Sequence, residues 1–267
     1  MEILWCGDPL TGKTTGAVTF PKPMMYLDFD DTFESVLSVK DKSGKRLISD
    51  ADVKQITVVK FQRKSFTKLN LRTVQTGNVT PPHTLEAPAI IDRLNSILDD
   101  LMHKKGFEGN GVQYQSLVID SGTKMFQFWK EALVQNMKQP ALQKQDYGTL
   151  ETVLFGQFLP DFKALPIPYK ILITHLGMDK DEKLGMIFEF PIATSKPQGR
   201  LLAKEFTEFW KQEAFGDRRV IRTVRVGMLQ FGTRTGVPDM TDANWGVLRQ
   251  YIEPVVQRVQ EIIGASI

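Results

Sequence analysis

Short runs that are apolar throughout alternate along this chain with longer stretches whose apolar residues recur every three or four positions. The first run is Ile3-Leu4-Trp5-Cys6; Met24 to Phe29, Ile56 to Phe61, Ser116 to Asp120 and Tyr169 to Thr174 follow. A continuous apolar run of that length marks a strand covered on both faces, as in parallel sheets. Ile90, Ile91, Leu94, Ile97, Leu98 and Leu101 fall on one helical stripe, and so do Leu150, Val153, Leu154, Phe158 and Phe162. Lys124 to Met137 predicts another helix. Trp245 to Ile263 predicts a terminal amphipathic helix, which Pro254 either kinks or divides. Val220 to Phe231 alternates and reads as one strand or a hairpin; the stretch before it, through Trp210, reads as helix or strand. Strands alternating with helices predict an α/β fold, with a mostly parallel central sheet and helices on both faces.

Two polar stretches interrupt this rhythm. Residues 63–88 carry Gly77-Asn78 and Pro81-Pro82 and read as a loop or hairpin insertion. Gly177 to Gly199 reads as a mobile basic loop. The rest forms one expected domain, 1–267.

Composition narrows the class. Hydrophobic residues are 42% of 267, enough for a core and against wholesale disorder. No apolar run approaches the ~18 residues of a membrane span, and Met1 to Gly7 is too short for a secretory signal and carries no Lys or Arg. One cysteine and three histidines leave no disulfide and no structural zinc set. The expected setting is a cytoplasm, with no membrane partner. Lys and Arg exceed Asp and Glu by 34 to 31, which alone argues little. The excess is uneven: ten to three from Lys40 to Arg72, and eight to four from Lys196 to Arg225. Such runs fit a solvated face or a nucleic-acid contact.

The candidate chemistry begins at Gly7-Asp8-Pro9-Leu10-Thr11-Gly12-Lys13-Thr14, which fits G-x-x-x-x-G-K-[ST] directly after a strand. Glycines let backbone N–H groups converge on a phosphate, and the helix that follows adds its positive end. Lys13 reaches the outer phosphates, and the Thr14 hydroxyl is a Mg²⁺ ligand; Thr15 completes the candidate nucleotide-binding set. Asp120, closing an apolar strand, is the second candidate Mg²⁺ ligand. Residue 121 is Ser, so a catalytic carboxylate is sought elsewhere. Asp30 is the candidate, at the end of Met25-Tyr26-Leu27-Asp28-Phe29-Asp30. Alternation puts Asp28 and Asp30 on one side, and Asp30 lies near the phosphate-loop helix if the first two strands are neighbours. His175, at the tip of Ile171-Leu-Ile-Thr174, is a candidate γ-phosphate sensor. Lys180, Lys183, Lys196 and Arg200 are candidate nucleic-acid contacts. Arg218, Arg219 and Arg234 are candidates for an arginine finger acting across subunits. Cys6 reads as a small buried hydrophobe.

The order of these motifs resembles RecA-like ATPases. Gln145-Asp146-Tyr147-Gly148 before a helix, and Gly232-Thr-Arg234-Thr-Gly-Val-Pro238, are similar to short phage ATPases of that class, including Sak-type single-strand annealing proteins. The resemblance covers about Ile3 to Pro238. It implies ATP and Mg²⁺ as cofactors, Asp30 in place of a catalytic Glu, His175 in place of a sensor Gln, and a DNA-binding loop at Gly177 to Gly199. Asp is one methylene shorter than Glu, which implies slow turnover. A ring or filament of copies would need contacts other than the tethering segment that RecA carries before its first strand. The function so implied is a RecA-like ATPase acting on single-stranded DNA in phage recombination or strand annealing, with a single-strand binding protein as a candidate partner. The alternatives are a P-loop kinase of a small substrate such as a nucleoside monophosphate, and a nucleotide-dependent scaffold with little turnover.

Overall fold

The computed structural model describes residues 1–40, 44–61, 87–181, 186–224 and 232–264, with side chains 181, 186–188 and 262–264 left aside. Among these residues the core is a nine-stranded sheet. β1 (Glu2–Gly7), β2 (Met24–Asp28), β3 (Ile56–Lys60), β4 (Ser116–Asp120) and β5 (Tyr169–Thr174) run parallel, in the order β1-β5-β4-β2-β3. On the other side of β1 lies β8 (Glu208–Phe215), parallel to it, followed by antiparallel β9 (Arg218–Arg222) and β11 (Thr241–Asp242). The two-residue β10 (Gly232–Thr233) also pairs with β8. The expected α/β fold with a mostly parallel sheet is therefore present.

The apolar runs of β1, β2, β4 and β5 are buried on both faces because each of these strands feeds two cores; β3, at the sheet edge, is half-buried. Leu4, Met25, Leu27, Leu117, Ile119 and Leu172 face α4 (Ala87–Met102), α5 (Gly122–Asn136) and the pair α6 (Asp146–Glu151) and α7 (Leu159–Ala164). Ile3, Trp5, Met24, Tyr26, Ile171 and Ile173 face α1 (Lys13–Ala17) and α9 (Trp245–Gly264). Each fully buried Leu or Ile of these stripes contributes about 1.5–3 kcal/mol relative to exposure. A π-helical segment, Thr152–Phe158, joins α6 to α7 and carries the expected Leu154 and Phe158 inward. α9 runs on through Pro254 as one helix.

Several expectations change. β1 and β2 are not neighbours: β5 and β4 lie between them, because the first crossover carries the chain past the two positions that β4 and β5 later fill. The segment from Gly177 to Gly199 is built rather than open. β6 (Leu176–Asp181) and β7 (Met186–Pro191) form an antiparallel hairpin, and α8 (Lys196–Leu202) follows, capped by the Ser195 side chain. The alternating stretch from Val220 begins two residues earlier, as β9, and 225–231 lies outside the described residues. The expected insertion falls outside them from 63 to 86; Ala87 and Pro88 open α4. Two short helices, α2 (Phe33–Val36) and α3 (Asp50–Val53), fill the crossover from β2 to β3.

Candidate active site

The loop after β1 turns at the C-terminal edge of the sheet. Asp8, Pro9 and Leu10 form an exposed arch, and Leu10 takes φ 65°. Gly12 sits at φ 90°, where a side chain would be strained. At Gly7 the constraint is space: a Cβ there would stand 2.7 Å from the Gln212 carbonyl oxygen on β8. The Gln212 side chain holds the loop from the same side, with Nε2 donating to the Thr11 oxygen at 2.8 Å. Lys13 is buried, and Nζ donates to the Gly7 and Asp8 oxygens at 2.8 and 2.7 Å. Burial lowers its pKa, while Asp120, Asp8 and Asp30 act in the opposite sense.

Asp120 ends β4 with one oxygen shared by several hydroxyls. Thr14 Oγ1 and Tyr26 OH each donate to Oδ2 at 2.5 Å, and Thr32 Oγ1 lies 3.4 Å away. Burial pushes the Asp120 pKa up, against the pull of the Thr14 and Tyr26 hydrogen bonds. The phosphate-loop threonine and the strand-end carboxylate thus meet. Among the described residues no three His, Cys, Asp or Glu side chains form a metal set of their own. A hydroxyl and one carboxylate beside a phosphate cradle suit Mg²⁺, which takes its remaining ligands from water and phosphate oxygens.

The tip of β5 stands between β1 and β4 and carries the third group. His175 Nε2 lies 3.6 Å from Asp30 Oδ2. Burial works against the Asp30 carboxylate, but His175 and Ser121 beside it outweigh burial and hold its pKa below the ordinary value. Asp30 therefore reaches the site from two strands away, across β4. Asp28 has other partners: its oxygens accept from Thr32 N and Phe33 N at 3.1 and 3.2 Å, where α2 begins. The His175 backbone is engaged as well. Its N–H donates to Thr123 Oγ1 at 2.9 Å, and its carbonyl accepts from Ile192 N at 2.9 Å, closing the base of the β6–β7 hairpin. Cys6 is buried against Thr174 Oγ1 at 3.0 Å, and burial pushes its thiol up to about 12, as befits a small apolar filler.

The basic candidates divide. Lys180 is exposed. Lys196 and Arg200 pair with Asp179 at 2.9 and 3.7 Å. Lys183 lies outside the described residues. Of the arginines, Arg218 pairs with Asp242 at 2.9 Å, and Arg234 is exposed. The Arg219 stem lies 3.4 Å from the place a Gly12 Cβ would take, beside its own chain's phosphate loop. Tyr26, Thr32, Thr123 and Gln212 are site residues that motif reading passes over. Tyr26 had a signal, because strand parity puts it on the same face as Asp28, and Asp28 pairs with Asp120 in register.

The arrangement defines an α/β P-loop NTPase site: a glycine-bordered loop and buried lysine on β1, and a metal-type Thr–Asp pair reaching β4. A protein-family model described as an AAA domain matches residues 1–229, and the chain belongs to that family. A search of curated proteins found no match. Among the described residues no helix is long and apolar enough to cross a membrane.

Proposed function

We propose that the chain is a Mg²⁺-dependent, RecA-like ATPase acting on single-stranded DNA, in phage recombination or strand annealing and as a homo-oligomer. The observation that carries the reading is His175. Its ring faces Asp30 and its carbonyl anchors the hairpin that follows, so one residue joins the hydrolytic end of the site to a separate two-stranded element. Gly7 to Thr15 cradle the phosphates, with Lys13 on the outer oxygens. Thr14 and Asp120 would hold Mg²⁺, whose charge would neutralise the phosphates. Asp30 takes the proton of the attacking water, and its low pKa keeps it ionised at neutral pH. His175 reports the state of the terminal phosphate to the β6–β7 hairpin. The exposed Lys180 and the α8 basic residues make that hairpin the strand-binding side.

Phosphate release measured with and without Mg²⁺ tests the hydrolytic half. Asp30→Asn is expected to lower turnover about 10²–10³-fold with little change in nucleotide affinity. Wild-type turnover in Asp30→Asn would remove Asp30 from the chemistry.

A further inference from the structure

Away from the phosphate loop, two surface features lack partners. The first is a groove of about 580 Å³ between α4, α5 and the segment from α6 to α7. Its lining is largely apolar and includes Leu98, Met102, Trp129, Leu133 and Val153. One wall is the π-helical turn Thr152–Phe158, and such turns are rare and frequent at functional sites. Two exposed carboxylates, Asp99 and Asp161, line the groove, and no Lys or Arg does. The His103 ring stands 3.3 Å from Asp99, and no described side chain pairs with Asp161. The second feature is the end of α9. The helix is buried through Leu248 and Ile252 and then leaves the core. Val255 and Val259, one turn apart, are 37% and 48% exposed. Arg258, three positions after Val255, shares their side of the helix, is exposed and has no ion pair among the described residues. Glu261 falls about 240° round the helix from Val255, off this stripe.

The two features complement each other. An apolar stripe carrying one cation matches an apolar groove whose only charged lining groups are carboxylates. Within one chain they lie on opposite faces of the sheet, the groove with α4 and α5 and the helix end with α1. A foreign helix in the groove would leave Val255 and Val259 bare, whereas a second copy covers both features at once. Both also stand clear of the nucleotide. Asn136, at the groove, is fourteen residues along α5 from Gly122, or ~21 Å from the sheet edge that bears Asp120. Burial, reinforced by Glu253, pushes the hydroxyl of Tyr169 up to about 12, so α9 leaves the core beside the first residue of β5, at the opposite edge. A contact between two different surfaces is head-to-tail, and repetition builds a ring if the rotation closes and a filament if it does not.

We propose that the free end of α9 in one copy of this chain seats in the groove of the next, with Val255 and Val259 on its apolar floor and Arg258 at Asp99 and Asp161. The inference rests on the homo-oligomer reading above and names its contact. Sedimentation velocity over a concentration series tests it, with and without Mg²⁺ and a non-hydrolysable ATP analogue. The proteins are wild type, a helix variant, Val255→Asp/Val259→Asp, and a groove variant, Asp99→Lys/Asp161→Lys. All four positions are exposed, so melting temperature and Mg²⁺–ATP affinity should stay at wild-type values. Wild type is expected to assemble with or without the analogue, and each variant to need at least about tenfold higher concentration. Mixed together, the two variants are expected to form a one-to-one dimer that grows no further, because the intact groove of one accepts the intact helix of the other. A mixture that stays monomeric overturns the pairing. Assembly that requires the analogue sets the contact at the phosphate loop and overturns this one. Variants that assemble as wild type does also overturn it and leave the homo-oligomer reading standing. A wild type that is monomeric in every condition ends both.

Discussion

Tyr26→Phe removes one oxygen from the centre of the site and leaves the ring in place against Phe33, 5.1 Å away. The lost hydroxyl is one of two that donate to Asp120 Oδ2 at 2.5 Å, in a nearly dry environment. A hydrogen bond to a charged acceptor contributes roughly 1.5–3 kcal/mol, and no packing volume is lost, so the variant should be destabilised by about that amount where Asp120 is ionised. The pH dependence gives the sharper check. Burial already holds the folded pKa of Asp120 above its unfolded value, so this group's ionisation costs stability as pH rises through the folded pKa. Removing a hydrogen bond that favours the carboxylate raises the folded pKa further. The deficit of Tyr26→Phe should be full on the alkaline side of the folded pKa and shrink as pH falls and the carboxyl is protonated in variant and wild type alike. Urea unfolding across that range measures it. The acid limb of Mg²⁺-dependent nucleotide binding should move to higher pH in parallel. A deficit equal at every pH, or none at all, would refute the assignment of Tyr26 to the Asp120 carboxylate.

Other consequences follow from the same geometry. Lys13→Ala removes a buried ammonium, so its unliganded melting temperature should equal or exceed that of wild type; the stabilisation by Mg²⁺–ATP seen in thermal shift should vanish. Gly12→Ala forces a side chain to φ 90° and toward Gln212 Nε2, 3.3 Å away; a loss of about 1–2 kcal/mol by urea unfolding and of nucleotide affinity by titration is expected. Gly16→Ala places a methyl 2.6 Å from Trp5 Cη2 and 2.7 Å from the Ala243 oxygen; it should cost about 1–3 kcal/mol in the same assay through overpacking.

The sequence carried the site's local chemistry more openly than its assembly. The phosphate loop and Asp120 are legible because each depends on a few adjacent residues at the end of an apolar run. Asp30 and His175 are legible as strand-tip positions, but their meeting is not, since it depends on β5 and β4 standing between β1 and β2. Parity did not tell the roles of the two carboxylates apart: Asp28 holds the backbone where α2 begins, while Asp30 meets His175. The β6–β7 hairpin escaped notice because Leu176 to Pro191 mixes Gly, Asp and Lys without a clean two-residue period. It is held by register and by Ile192 pairing back to His175. Gln212 and Arg219 approach the loop only through the pairing of β8 with β1 and of β9 with β8, a contact of some two hundred residues' separation that no local pattern encodes.

The coupling of the two elements through His175 is the central claim, and nucleotide-dependent strand binding tests it most directly. A labelled single-stranded oligonucleotide would be titrated with wild type, Lys13→Ala and His175→Ala, with and without Mg²⁺ and a non-hydrolysable ATP analogue. The analogue should tighten binding at least about tenfold in wild type, a coupling of ~1.4 kcal/mol, and should leave both variants at the nucleotide-free affinity. Equal affinity in wild type with and without the analogue would contradict the account.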